Sequence, residues 1–304
     1  MSTSKRYLLV IAGPTAVGKT AIAIQVANHF NAPIVSADSR QFYREMDIGT
    51  AKPSANELNQ AEHHFINSHS IEQPISAGEY ERIALKKIEA LHEENNIVIL
   101  TGGSGLFIDA VCNGLDDLPK VDPNIKVELK VAYEEHGIVY LQEKLKKLDP
   151  EYYATCDQLN PHRLIRAIEL CLASGEKMAD LHNQKTIKRP FDIIYIALHR
   201  DRKKLYERIN VRVDQMMAAG LEQEARHLFL KSELSSLNTV GYAELFSYFR
   251  QEIELTEAIE LIKRNSRRYA KRQLTWLKRN PAYNWFHPNE IADMVKFTEE
   301  KMIE

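Results

Sequence analysis

Residues 13–20 read GPTAVGKT, matching G-x-x-x-x-G-K-[ST] at every specified position. That pattern suits phosphate chains. Its glycines allow a turn that aims backbone N–H groups at one point, its lysine reaches the terminal phosphates, and its hydroxyl can hold Mg²⁺. Gly13, Pro14, Thr15, Ala16, Val17, Gly18, Lys19 and Thr20 therefore form a candidate diphosphate or triphosphate site, with Thr20 as the metal-holding residue. A chance match in an ordinary glycine turn is the alternative. It loses weight because the strand-like YLLVIA precedes the loop and the helix-like AIAIQVANHF follows it, adding a helix N-terminus to the site.

The loop does not say what happens after binding. Nucleotide hydrolases and kinases commonly end a later strand in an acid that serves the metal or its water. Here the strand-like NNIVIL ends in Thr101-Gly102-Gly103-Ser104, without an acid. The carboxylate stands in IVSADSRQFY, where Asp38 would project at the carboxyl edge of the sheet beside the loop. Asp38 is a candidate proton acceptor, with a structural or metal-holding role as the alternative. Phe42 and Tyr43 nearby could stack on a base or belong to the core. His63, His64 and His69 lack a third ligand at helical spacing, which favours a structural or pocket-lining role over a metal site.

Four short apolar runs read as buried parallel strands: 7–12, 33–37, 97–101 and 193–198. Helical patterns separate them, as in a layered βα sheet. The interval from Pro119 to Pro190 is mostly helix-forming and charged and contains no convincing strand. The expected organisation is a core of 1–119 and 191–304 with a helical subdomain inserted at 120–190, and after His199 the chain reads as helical to its end.

From Lys263 to Asn280 stand eight basic residues and no acid, in KRNSRRYAKRQLTWLKRN. On a helix, Ile259, Ile262, Tyr269, Leu274 and Leu277 approximate an inward stripe, while Arg264, Arg268, Arg272 and Arg279 share another face, adjoined by Arg267, Lys271 and Lys278. A solvated, salt-bridged helix is the bland alternative. Such helices mix signs, so an anionic partner is favoured.

Bulk composition neither demands nor excludes nucleic acid. Forty basic and 42 acidic residues leave a net charge of −2, so any polyanion site must be a local patch. Three cysteines without CxxC spacing favour a reducing compartment, and no apolar run is long enough to span a membrane; a cytoplasmic protein is expected, with monomer as the default state.

The order and spacing of longer stretches resemble the tRNA dimethylallyltransferases (isopentenyl-diphosphate:tRNA transferases), bacterial type, over almost the whole chain. The resemblance rests on GPTAVGKT, SADSRQFYREMDIGTAKP at 36–53, HHFIN at 63–67, SAGEY at 76–80 and TGGSGLF at 101–107. It continues in NPHRLIRAIEL at 160–170, RINVRVDQMMAAGLEQE at 208–224, TVGY at 239–242 and RYAKRQLTWLKRN at 268–280. It implies a P-loop NTPase-like α/β fold, a parallel sheet core with a helical insertion subdomain and a helical C-terminal part. It also implies an activity: transfer of a dimethylallyl group from dimethylallyl diphosphate to the adenosine just 3′ of the anticodon, with Mg²⁺. By the same resemblance Asp38, Thr20 and Arg212 are the catalytic residues. Asp38 takes the amine proton, and Thr20, Lys19 and Arg212 meet the diphosphate. Ser104 stands where the family more often has threonine, keeping a hydroxyl, and Phe107 where it more often has tyrosine, losing one.

The tRNA contacts implied lie in three places. Asp38, Ser39, Arg40, Gln41 and Ser104 surround the base, and Lys126, His162, Arg163 and Arg166 belong to the insertion. Arg268, Lys271, Arg272, Gln273, Trp276 and Lys278 lie on the basic stretch. Two rivals share the loop. Another P-loop kinase would not need the basic stretch, and an adenylate isopentenyltransferase would need neither that stretch nor arginines in the insertion.

Overall fold

The computed structural model describes residues 5–116, 118–181 and 187–303. The chain divides into two compact units, one of Met1–Asn113 with Lys188–Glu304 and one of Gly114–Ile187. The divide falls a few residues before each of the prolines taken as boundaries.

The larger unit is built on six parallel strands: β1 (Tyr7–Ala12), β2 (Ile34–Ser36), β3 (His63–His64), β4 (Ile97–Gly102), β5 (Asp192–Leu198) and β6 (Asn284–Phe286). Their order in the sheet is β3-β2-β4-β1-β5-β6. The central strand β1 pairs with β4 and β5 at once, Tyr7 lying opposite Ile97 and Asp192. Both of its faces are covered, which is why it reads as a continuous apolar run rather than an alternating one. Tyr7, Leu9 and Ile11 pack with helix α1 (Lys19–Phe30), while Leu8, Val10 and Ala12 pack with residues of α3 and α4. Here α2 is Ala55–Leu58, α3 is Ala77–Leu91 and α4 is Gly105–Asn113.

The strands expected from sequence are present. The two that were not expected, β3 and β6, are only two and three residues long and have no fully buried residue, so they carry no hydrophobic pattern. β6 corrects the expectation of an all-helical chain after His199; it adds to the sheet edge against Ile196–Leu198.

In the second unit lie α5 (Pro123–Leu148, broken at Gly137), α6 (Pro150–Thr155), α7 (Pro161–Ser174) and α8 (Met178–Leu181). It has its own core, centred on Leu141, Leu145, Leu164 and Ile168. The buried Asp149 carboxylate caps α6 through the Tyr152 amide at 2.9 Å and receives the Met178 amide at 2.8 Å. The larger unit then adds α9 (Arg202–Ala218), α10 (Leu221–Leu228), α11 (Tyr242–Phe249), α12 (Leu255–Leu277) and α13 (Ile291–Ile303). A third core cluster joins α9 to α12 with the segment after β2. No helix among the described residues is long and apolar enough to cross a membrane.

Candidate active site

The segments that follow β1, β2, β4 and β5 meet at the carboxyl edge of the sheet, around a cavity of about 1350 Å³. That edge is where open parallel sheets leave room for ligands. The phosphate loop forms one wall. Gly18 closes it at φ 112°, a conformation natural only to glycine, and α1 starts at the next residue. The Lys19 ammonium folds along the loop and donates to the Pro14 carbonyl at 3.0 Å.

Asp38 stands across the loop, just past β2. One carboxylate oxygen accepts the Arg40 amide at 3.0 Å, and the other has no hydrogen-bond partner among the described residues. The turn is locked to the end of β4: the Ser39 amide donates to Ser104 Oγ at 3.0 Å, and the Ser104 hydroxyl donates to Ser39 Oγ at 3.0 Å. β2 and β4 approach so closely that a Cβ on Gly102 would lie 2.3 Å from the Ala37 carbonyl oxygen. Ser104 thus positions the aspartate turn, a role that any hydroxyl of suitable reach could fill. Tyr269 of α12 lines a small cavity with Ser104, and burial and the Asp38 charge raise its phenol pKa.

Three charges are coupled here. Burial holds the Lys19 ammonium down to about 8; Asp38 opposes that depression and Arg212 adds to it. Burial lowers Arg212 too, with Asp38 opposing and Arg208 reinforcing. Such a site is short of anionic charge and holds two cations at a cost that a diphosphate would offset. A pH dependence follows. Lys19 loses its proton as pH rises through about 8, so donor binding should weaken above that value. KM for the donor should climb about tenfold per pH unit there, as expected when one protonated form binds. KM measured from pH 7 to 10 checks this; a flat profile would remove Lys19 from the donor site.

The structure revises several expected contacts. Gln273 is 8% exposed, and it lines both the large cavity and a smaller one beside it. Its amide oxygen accepts the Thr15 amide at 2.8 Å and its amide nitrogen donates to the Gly103 carbonyl at 2.9 Å, tying the phosphate loop to β4. The Thr15 N–H is thereby taken up. Arg40 donates to the carbonyls of Ser236 and Asn238, and Gln41 to those of Thr50 and Ala51, so both brace neighbouring loops. Trp276 is half-buried, its indole N–H donating to Asp109 at 2.9 Å, and it lines a smaller cavity of about 240 Å³ with Ser39, Ser104 and Tyr269. Phe42 and Tyr43 are core residues, 0% and 2% exposed; Phe42 stacks on Tyr80 instead of offering a ring to a base. His63 lines the large cavity from edge strand β3.

The basic stretch forms α12, and its cations divide. Lys263 pairs with Asp214 at 2.8 Å and Glu260 at 3.2 Å, and Arg267 donates to Asn210, so these two belong to the fold. The acids lie on α9 and just before the stretch, which is why the stretch alone looked unpaired. Arg268, Lys271, Arg272 and Lys278 are exposed and have no acidic partner among the described residues, and Arg268 and Arg272 also line the large cavity. On α7, His162, Arg163 and Arg166 are exposed, with Arg166 held at 3.3 Å by Glu169; Lys126 is exposed on α5.

Three further cations line the cavity and were missed: Arg200, Lys204 and Arg208. With Arg212 they stand at four-residue spacing, Arg200 just before α9 and the other three along it. The three on the helix were legible, since like charges at i,i+4 cost a helix roughly 0.2–0.5 kcal/mol per pair and need an anion nearby.

The family model described as IPP transferase matches residues 41–280, beginning just past Asp38. A tRNA dimethylallyltransferase of Christiangramia forsetii is 51% identical over 297 residues, covering 97% of this chain and 98% of that relative. Among solved structures, a full-length tRNA isopentenylpyrophosphate transferase from Bacillus halodurans aligns with TM-score 0.74 and 35% identity, over 98% of this chain and 97% of that one. A eukaryotic dimethylallyltransferase described as acting on tRNA aligns with TM-score 0.75 and 26% identity, over 90% of this chain and 70% of its own.

Proposed function

The chain belongs to the IPP transferase family, and from that premise we propose that it transfers a dimethylallyl group from dimethylallyl diphosphate to tRNA. The acceptor is the exocyclic N6 amine of the adenosine immediately 3′ of the anticodon. The observation that carries this reading is the shared cavity, in which a carboxylate with one free oxygen faces a phosphate loop and two charge-coupled cations.

An adenine amine is a weak nucleophile, because its lone pair is delocalised into the ring. The donor compensates by ionising readily. As N6 bonds to the dimethylallyl carbon, the carbon–oxygen bond breaks and its electron pair leaves on the diphosphate. Lys19, Arg212 and the amides of the loop meet that charge, which grows during the step and so selects the transition state. The N6 proton passes to the free oxygen of Asp38. A cavity walled by protein limits hydrolysis of the allylic carbon by water.

Among the described residues no group of three His, Cys, Asp or Glu could hold a metal alone. Thr20 lines the cavity beside the loop, and its hydroxyl, with substrate phosphates and water, would hold Mg²⁺, which would screen the diphosphate charge. ATP would occupy the loop only as a competitor.

The exposed cations of α12 would meet RNA phosphates, supplying affinity without base information. Neutralising Arg268, Lys271 and Arg272 together should weaken binding of every tRNA substrate. It should also flatten the dependence of log affinity on log salt by up to about one unit per lost contact. Melting temperature should hardly move, since exposed charges contribute little to stability. Unchanged binding and salt slope would make these residues surface decoration.

The function is tested by following label from dimethylallyl diphosphate when tRNA, AMP and ATP are all present. Label should enter tRNA alone, with ATP left intact. Label on AMP would identify an adenylate isopentenyltransferase, and ATP consumption coupled to the reaction would identify a kinase.

A further inference from the structure

Arg200, in the turn between β5 and α9, and Arg208, on α9 itself, place two guanidiniums on the backbone of the phosphate loop. Arg208 Nε donates to the Ala16 carbonyl at 2.9 Å, and Arg200 Nε donates to the Val17 carbonyl at 2.8 Å. Two consecutive peptide units, 16–17 and 17–18, therefore each carry a cation on their oxygen end. In both arginines the Nη groups have no hydrogen-bond partner among the described residues. These two carbonyls lie at the least relaxed part of the loop: Ala16 sits at φ 62° although it has a Cβ, and Gly18 follows at φ 112°.

Left alone, such a loop gains little from this shape. Among the described residues only its Thr15 and Val17 amides are taken up, by Gln273 and the Pro14 carbonyl, and Ala16 would relax towards an ordinary conformation. A cation at each carbonyl changes that balance. It holds the peptide plane so that the oxygen faces outward, and it polarises the amide at the other end of the same unit. For unit 17–18 that amide is the Gly18 N–H, at the start of α1. The two arginines also crowd each other: Arg200 is lowered by burial and then by Arg208, and Arg212 is lowered in part by Arg208 as well. An anion arriving at the loop would relieve this repulsion.

We propose that Arg200 and Arg208 are positioning residues that hold the phosphate loop in its diphosphate-receiving shape through the Val17 and Ala16 carbonyls. The inference rests on the reading of the loop as a diphosphate site. Arg212 differs from them, being coupled to Asp38 and Lys19 and having no loop carbonyl of its own. Lysine could replace the charge of Arg200 or Arg208. It could not reproduce the planar Nε–H aimed at a carbonyl, because an ammonium is a point donor on a flexible stem.

The test is calorimetric titration with inorganic diphosphate, with and without Mg²⁺, on the whole protein and on Arg200→Ala, Arg200→Lys, Arg208→Ala and Arg208→Lys. Each alanine variant should lose about ten- to a hundredfold in diphosphate affinity, the worth of a charge-assisted hydrogen bond. The lysine variants should recover only a small part of that loss. With donor as substrate, KM should rise more than kcat falls, and tRNA affinity should stay as it was. Melting temperature measured without diphosphate should be unchanged or higher, since repulsion is relieved, while the increase on adding diphosphate shrinks.

Full recovery in the lysine variants would overturn the inference, showing that long-range charge suffices. Alanine variants that bind diphosphate like the unmodified protein would overturn it too. A loss confined to melting temperature would mean that the arginines serve the fold alone and would equally end it. If the unmodified protein binds no diphosphate, the reading of the loop itself fails, which is a different and separable result.

Discussion

Replacing Asp38 with alanine is expected to lower turnover about 10²–10⁴-fold, the usual worth of a positioned proton acceptor, while tRNA affinity changes little. The expectation comes from geometry. One oxygen of Asp38 is committed to the Arg40 amide, which fixes the carboxylate, and the other is free to face an amine. Asp38→Asn separates the two jobs. Asparagine can still accept the Arg40 N–H and keep the turn, yet it cannot take a proton, so it should fall about as far as alanine. Steady-state rates at saturating donor and tRNA check this. A variant with near-unmodified turnover would remove Asp38 from the mechanism.

Arg212→Ala should lower kcat/KM for dimethylallyl diphosphate about 10²–10³-fold, because a preorganised donor aimed at departing charge acts mainly in the transition state. The three coupled charges add a finer expectation. Arg212 depresses Lys19, so its removal should raise the Lys19 pKa and carry the fall in donor binding to higher pH. Asp38 raises Lys19, so Asp38→Ala should move the same fall to lower pH. Profiles of donor KM against pH in the three proteins report these opposite displacements. Shifts in the same direction, or none, would show that the groups do not face one another in the working enzyme.

Much of the centre was legible in the sequence because its constraints are local. A phosphate loop needs particular residue types at fixed spacing between a strand and a helix, so Gly13 to Thr20 announced themselves. β1, β4 and β5 were legible because burial on both faces forces a continuous apolar run. Asp38 was legible because a carboxylate directly after a short strand stands at the sheet edge.

What escaped the sequence depends on distant partners. Gln273 lies in a stretch dense with cations and looks like one more RNA contact; only the fold brings it 258 residues back to the Thr15 amide. Lys263 looked unpaired because one of its acids, Asp214, lies on another helix. Arg40 and Gln41 sit beside Asp38 in sequence, yet they spend their side chains on loops near 236 and 50. The strands β3 and β6 gave no signal, being too short to show a period and lying at sheet edges. The row at 204, 208 and 212, with Arg200 one step before the helix, was a missed feature with a local signature, because like charges repeated along one helix face need an external reason.

Mass spectrometry of the nucleosides recovered from tRNA, after incubation with the protein, dimethylallyl diphosphate and Mg²⁺, tests the assigned reaction most directly. The expected result is N6-(dimethylallyl)adenosine at the position immediately 3′ of the anticodon, formed in amounts matching the diphosphate released, and absent with Asp38→Ala over the same interval. Adenosine left unmodified while diphosphate is released, or a dimethylallyl group found on free nucleotide rather than on tRNA, would contradict it.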